Sequence, residues 1–292
     1  MAQPANNNSF WNDELYANFV TDAEFAAFEN SVARNLCRVF PIPMNSGKVA
    51  QVPIWGQGSA QVITDEDEAT LVRTTSSQVL ITLEEHVYYS QITDMLKDSA
   101  YGDVMAQLAE VSGRAIGESF DTTVFSKFSS FSSDIGSTTT ELTIELVMKA
   151  AATLRAAKVR GPYFAVVHPG CSYYIKKQMS VQTQYSGAVS NMIPGADQSN
   201  LYLNGVIGNI GGVVVIESPL VAGATGDPAS DAFINGVFAP TALGIAERGG
   251  LELNTLYLPK ARATDMVLKA VMGAGVIQST HGVKITAETD LD

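Results

Sequence analysis

Catalysis needs side chains that converge, and the residues able to do chemistry in this chain stand apart. The three histidines, His86, His168 and His281, fall in separate stretches. The nearest thing to a nucleophile with a base is Cys171 beside His168 in the phrase HPGCSYY, where only Pro169 and Gly170 separate them. A nucleophile and its base ordinarily come from different elements, so the spacing argues against the pair. It still defines an alternative of a different class: a small α+β enzyme working through Cys171 and His168, expected as a discrete monomer or dimer. Glu84 and Glu85 adjoin in a strand-like stretch, which points them to opposite faces and keeps them from sharing a substrate. The run Asp65-Glu66-Asp67-Glu68 departs from calcium-loop spacing at Ala69 and reads as a solvated loop tip. Glycines 208, 211 and 212 precede a strand instead of leading from one into a helix, so they suit a turn between strands better than a phosphate cradle. Neither GxSxG nor HExxH occurs. No catalytic residue, metal ligand or cofactor is assigned.

Composition narrows the classes further. The 292 residues are enough for a sizeable core in one large domain or two smaller ones. No run approaches the ~18 apolar residues of a membrane span, and Met1 to Phe10 has neither the basic patch nor the apolar run of a signal peptide. Cys37 and Cys171 lie far apart and outside any CxxC spacing, as expected of two buried thiols in a reducing compartment. A net charge of -12 speaks against a surface that coats nucleic acid. Charged residues make up 16% of the chain, against about a quarter in ordinary proteins, while 46% are hydrophobic. So little charge hints that much of the exterior meets other subunits.

The element that must organise the chain runs from Asp98 to Phe128, with Val104, Leu108, Val111, Ala115, Phe120, Val124 and Phe128 as one apolar stripe. Asp103, Gln107, Glu110, Arg114, Glu118 and Asp121 make the opposite face polar, and Gly102, Gly113 and Gly117 either weaken the helix or let a neighbour pack closely. Ahead of it, Met1 to Asn8 is a polar tail and Phe10, Trp11, Leu15 and Phe19 keep helical spacing. Thr21 to Glu24 matches a capping box opening a second helix with Phe25, Phe28, Val32 and Leu36. This aromatic arm packs on its own domain or reaches over a neighbour. Residues 48–55 and 75–83 alternate as two strands of a long excursion, which needs support from outside itself. Residues 129–140 suit a boundary, 141–159 a helix, 163–167 a buried strand, and Pro169 the first turn of a further helix. Residues 180–204 read as loop, 213–217 and 232–238 as strands, and 239–243 as the start of a short helix. Residues 266–278 and 283–286 are closing strands.

In this order the phrases resemble one family, the major capsid proteins of tailed bacteriophages with the Hong Kong 97-type fold. An aromatic arm precedes KVAQVPIWGQGSAQV and QVLITLEEHVYYSQITDML, which are similar to the family's E-loop; the spine helix follows. LTIELVMKAAATLRAAKV and PYFAVVHPGCSYYI are similar to its axial domain, with GVIGNIGGVVVIESPLV and FAPTALGIAERGG in the usual places, and MVLKAVMGAGVIQSTHGVKITA to its peripheral domain.

The resemblance implies an α+β fold with an N-terminal arm (1–45), an E-loop hairpin (46–90), a peripheral domain with the spine helix (91–138), an axial domain (139–260) and closing peripheral strands (261–292). It implies a non-enzymatic shell protein that forms pentamers and hexamers of an icosahedral capsid around double-stranded DNA, contacted non-specifically at the inner face. Such a protein is assembled in the host bacterial cytoplasm and resides in the virion capsid. Arm and E-loop would lie over adjacent subunits, with Phe10, Trp11, Phe19 and Trp55 as anchors and Lys48, Asp65, Glu66, Asp67, Glu68 and Arg73 at the contact. The chain leaves no room for an N-terminal scaffolding segment, so a separate scaffolding protein is expected, with a portal protein and a decoration or cement protein as further partners. No membrane is involved. An encapsulin-like cargo compartment is the alternative within the same fold.

Overall fold

Two sheets and a projecting hairpin carry the chain, and a long helix lies along one sheet. The computed structural model describes residues 19–27, 31–99 without 57, 59, 64, 66, 67 and 69, then 104–185, 206–224 and 231–289. A helix over residues 19–27 (α1) leads to the short turn Ala33–Leu36 (α2) and the strand Arg38–Pro41 (β1). Val49–Trp55 (β2) and Ser76–Thr82 (β3) form the hairpin, followed by Glu84–Thr93 (β4) and Asp94–Ser99 (α3). The spine is Val104–Phe125 (α4). Ser133–Glu141 (β5), Ile144–Ala156 (α5), Tyr163–Val167 (β6), Pro169–Tyr185 (α6), Val206–Ile210 (β7), Val213–Glu217 (β8) and Ala232–Phe238 (β9) come next. Leu243–Leu258 (β10), Ala263–Val276 (β11) and Gly282–Glu288 (β12) close the chain.

The four-stranded sheet runs β1-β10-β11-β4, with β1 parallel to β10 and the other pairs antiparallel. Alternation along β11 sorts its two faces. Met266, Leu268 and Ala270 pack with Ala109 and Ile116 of the spine and with Phe19, Ala23 and Ala27 of α1. The odd-numbered residues from Asp265 to Gly275 look the other way. Gly249, at φ 66, sits in the bulge between Arg248 and Glu252, where β10 shifts register and a side chain would be strained. The six-stranded sheet runs β5-β12-β9-β6-β8-β7. Val147, Ala150, Ala151 and Leu154 of α5 pack into its core with Ala165, Val167, Val213, Val215, Val237 and Ile285. Thr143 caps α5, its hydroxyl accepting from the Leu146 N–H at 3.3 Å.

Several sequence expectations change against these coordinates. The spine helix is 22 residues long and ends in a 3-10 turn, Ser126–Ser130, so it spans roughly 33 Å at 1.5 Å per residue, shorter than the element expected over 98–128. Its buried face is Ala109, Ser112, Gly113, Ile116, Gly117, Asp121, Val124 and Phe125, while Val111 is exposed. The stripe is rotated because α1 packs against Gly113 and Gly117, small residues that admit its backbone, while Ala109 and Ile116 face β11. Asp121, expected on the polar face, is 1% exposed. The helix of the arm is already running at residue 19, so Thr21 to Glu24 does not open it, and Phe25 points outward, 69% exposed. Residues 133–141 form an edge strand where a boundary was expected, and 239–243 turn directly into β10. Sheet membership crosses the expected segments. β10, in the segment 139–260 expected as axial, pairs along its length with β11 of the segment 261–292 in the four-stranded sheet. β12, placed among the peripheral closing strands of 261–292, lies in the six-stranded sheet between β5 and β9. Neighbours in sequence need not share a sheet, and only pairing partners reveal which they share. The loop expected over 180–204 begins after Tyr185, and its remainder lies outside the described residues.

Candidate subunit interface

The hairpin is apolar on both faces. Its register sets Ala50 opposite Ile81 and Val52 opposite Val79, and on the other face Gln51 opposite Leu80 and Trp55 opposite Ser76. The first set packs on its own chain: Ala50, Val52, Ile81 and Leu83 enclose Ala246, with Phe40, Ile42, Val79 and Val271 around them. The second set has no such cover. Trp55 is 69% exposed and Leu80 57%, and Val49 beside them is exposed too. Backbone bonds hold the strands from base to tip, from Leu83 N–H to Lys48 O at 2.8 Å and from Gly56 N–H to Thr75 O at 2.8 Å. Arg248 adds a bond to the Gly47 carbonyl. In the loop beyond, the Gln61 side chain accepts from the Thr70 N–H at 3.1 Å, and Val62, Ile63, Leu71 and Val72 are exposed.

Lys48, Asp65, Glu68 and Arg73 all lie exposed on this hairpin or its loop, so they share one projection with Trp55. Glu66 and Asp67, like Phe10 and Trp11 of the arm, lie outside the described residues. Phe19 is different. At 4% exposure it fills a pocket of its own subunit with Ala109, Ile116 and Met266, and that burial withdraws it from direct contact with a neighbour. Over its described length the arm therefore packs at home. Val49 and Leu80 were absent from the expected contacts. The signal for them was available: β2 reads VAQVPIW, with apolar residues on both parities of the strand.

The arm reaches the core through a buried carboxylate. Asp121 on the spine accepts from the Ser31 hydroxyl at 2.7 Å, the Val32 N–H at 2.8 Å and the Ala33 N–H at 3.2 Å, which ties the chain just before α2 to α4. Burial outweighs these three donors and raises its pKa above the usual carboxylate value. The Glu24 carboxylate accepts from Leu251 N–H at 3.2 Å and pins α1 to β10.

Cys171 and His168, the pair of the enzyme alternative, are engaged with other groups. The Cys171 thiol is buried and turned to β12, with the carbonyls of Ala287 and Glu288 at 3.6 and 3.7 Å, and burial pushes its pKa up to about 11. A thiol held protonated is no nucleophile. The His168 ring stacks on Phe233, centroids 3.6 Å apart, and its Nδ1 accepts from the Gly170 N–H at 3.2 Å. Among the described residues no group of three His, Cys, Asp or Glu is placed to hold a metal, and no helix is long and apolar enough to cross a membrane.

Comparison with known proteins meets this geometry from outside. Residues 76–285 match the family described as phage capsid protein, which takes in well over half of the chain. No curated protein matches the sequence. Among solved structures, the capsid of cyanophage P-SCSP1u superposes with a TM-score of 0.67 at 18% identity, covering 89% of each chain. The head of Helicobacter pylori bacteriophage KHP40 gives 0.64 at 9% identity over 86% of this chain and 88% of that one. A virus-like particle from Pyrococcus furiosus gives 0.57 at 13% identity over 93% of this chain and 98% of that one. Identities this low speak for the fold alone; the family match adds the role, and together they make this chain a member of the phage capsid protein family, a structural major capsid protein with the Hong Kong 97-type fold.

Proposed function

We propose that copies of this chain assemble as hexamers and pentamers into an icosahedral shell that encloses packaged double-stranded DNA, and that the β2–β3 hairpin is the principal reach from one subunit to the next. One observation carries the second part: the hairpin exposes Trp55, Leu80 and Val49 on the face turned away from its own core. Trp55 anchors the contact, and Lys48, Asp65, Glu66, Asp67, Glu68 and Arg73 set register at its rim. Phe10 and Trp11 extend the contact from the arm. A net charge of -12 suits a lining to which packaged DNA does not adhere, so contact with DNA is non-specific. Assembly takes place in the host bacterial cytoplasm with a separate scaffolding protein and a portal protein, and a decoration or cement protein completes the shell.

The test is negative-stain microscopy with light scattering on the purified protein, with and without the scaffolding protein. Closed shells or capsomer rings are expected. Trp55→Ala combined with Leu80→Ser should leave a folded subunit and sharply fewer closed shells, since truncating a buried aromatic anchor costs about 2–4 kcal/mol per contact. A monomer under every condition would refute assembly; normal shells from the double variant would refute the hairpin contact. The likeness to a virus-like particle leaves room for a second reading within the same fold, an encapsulin-like compartment shell, and the contents of purified particles, DNA or an enzyme, decide between the two.

A further inference from the structure

If the hairpin is a subunit contact, the direction in which it leaves the subunit matters, and two glycines govern that direction. β4 stops pairing with β11 at Met272, opposite Glu84. Beyond that point β11 continues to Val276 with β10 alone beside it. β3 and β4 are almost one strand, interrupted at Leu83, whose N–H turns to the Lys48 carbonyl. At this break the chain lifts out of the sheet and crosses the face of β11 opposite the spine. It crosses at Gly273 and Gly275, which project to that face while Ala274 between them packs toward the main core.

The crossing leaves no space for a side chain. A Cβ on Gly273 would collide with the Thr82 carbonyl, with the Thr82 carbon at 2.9 Å and Ile81 Cγ2 at 3.2 Å. A Cβ on Gly275 would stand 2.8 Å from Ile81 Cγ1. Ile81 cannot swing clear, because it is the buried centre of the small core that joins the hairpin to Ala246, Phe40 and Val271. Neither glycine has a positive φ. Their absence of a side chain is required by the close crossing and not by their backbone angles.

We infer that Gly273 and Gly275 form a saddle that fixes the angle of the β2–β3 hairpin and so the closure of the shell, an inference that rests on the hairpin being a subunit contact. They are positioning residues: neither meets the neighbouring subunit, and both act through Ile81 and Thr82. A side chain at either position lifts the base of the hairpin, and the displacement grows along the strands toward Trp55.

The test separates the saddle from the interface. Spin labels on Ser76→Cys and Glu118→Cys, both exposed positions, report the distance from hairpin to spine in unassembled subunits, and the buried Cys37 and Cys171 do not compete for label. Gly275→Ala, which presses on a side chain, and Gly273→Ala, which presses on backbone, should shift that distance, Gly273→Ala the more. Gly58→Ala, where the nearest described atom is Thr74 Oγ1 at 4.0 Å, should not. Shells from the shifted variants should be fewer, open or of altered diameter. An unshifted distance in both folded variants overturns the saddle. A shifted distance with normal shells leaves the saddle standing as local structure and overturns its role in closure, while the hairpin contact itself stands or falls separately with the Trp55→Ala, Leu80→Ser variant. If Gly273→Ala fails to fold, Gly275→Ala decides alone.

Discussion

Replacing Gly113 by Ala asks whether the arm is docked on the spine by backbone contact. Gly113 lies inside α4, where intrinsic propensity favours Ala by about 1 kcal/mol. Packing reverses that sign. A Cβ on Gly113 would run into the Ala23 carbonyl oxygen of α1 and stand 3.0 Å from both the Ala23 carbonyl carbon and the Ala26 Cβ. A helix carbonyl cannot rotate away as a side-chain tip can, so the two helices must separate. Overpacking of this sort costs about 1–3 kcal/mol. The other way out is for α1 to lift off, which exposes Phe19, at about 1.5–3 kcal/mol for the ring alone, with Ala23 and Ala27 adding to it. Relief follows the cheaper route, and with the propensity gain set against it the net destabilisation is about 1 kcal/mol, within a range of about 0–2, or up to a few degrees in Tm for a chain of this size. Denaturant unfolding of the unassembled subunit measures it, and trypsin cleavage at Arg34 reports whether α1 has been released. Gly117→Ala, whose Cβ would lie 2.9 Å from the Ala27 carbonyl oxygen, is the graded comparison and should cost less. A Gly113→Ala subunit as stable as the parent, with Arg34 no easier to cut, would refute the docking argument and leave propensity in charge.

Three further outcomes follow from buried groups. Asp121→Ala strands three donors and should cost about 2–4 kcal/mol in denaturant unfolding, part of the loss being returned by removing a buried charge, whereas Asp121→Asn should cost roughly 1. Because burial raises the Asp121 pKa, its ionisation opposes folding increasingly as pH rises above the unfolded value of about 3.9, and the Asn variant should flatten that part of the profile. The pKa values of His86, His168 and His281 are all lowered by desolvation, and the buried His86 Nε2 has no hydrogen-bond partner among the described residues. Their contribution is complete above the unfolded value of about 6.5 and is lost as pH falls through it toward the folded values, so Tm should drop between pH 7 and 5; a flat Tm over that range would contradict the burial of these rings. Cys37, pushed up to about 12, and Cys171, at about 11, should resist iodoacetamide at pH 8 until the chain is unfolded, and rapid native alkylation of either would contradict its environment.

What the sequence disclosed depended on whether a partner lay nearby along the chain. Tyr163–Val167, Val213–Glu217 and Ala232–Phe238 were legible to the residue because each is a short apolar run bounded by Gly, Pro or Asp. The paired β2 and β3 were legible from alternation. The spine was legible as a helix, but its buried side was not: Gly113 and Gly117 carry no hydropathy signal, and their role exists only where α1 crosses them. Asp121 was misassigned for the same reason, since its donors come from residues 31–33, some ninety positions earlier. Of the expected contacts, those on the hairpin share one exposed projection and Phe19 does not. A large aromatic residue in an arm is equally suited to a neighbour or to its own core, and only the position of the spine decides.

Neither strand of the hairpin carries a charged residue. A hairpin that faced water on one side would keep that face polar, and β2, though it alternates through its middle, departs from this at its two ends, where Val49 and Trp55 stand on the face opposite Ala50 and Val52. Such a ribbon needs apolar cover twice. The chain supplies one cover, the floor of Phe40, Ala246 and Val271, and supplies it only near the base. The loop that continues outward carries Val62, Ile63, Leu71 and Val72 exposed with no second layer of its own. A two-stranded excursion with an apolar upper face is marginal in water. In the shell proposed above, another copy of the same chain would supply the second cover, and the exposed apolar area of the isolated subunit would be one side of that contact. On that proposal one pair of glycines under the hairpin would matter to the whole particle, because an angular error at the base would recur at every such contact.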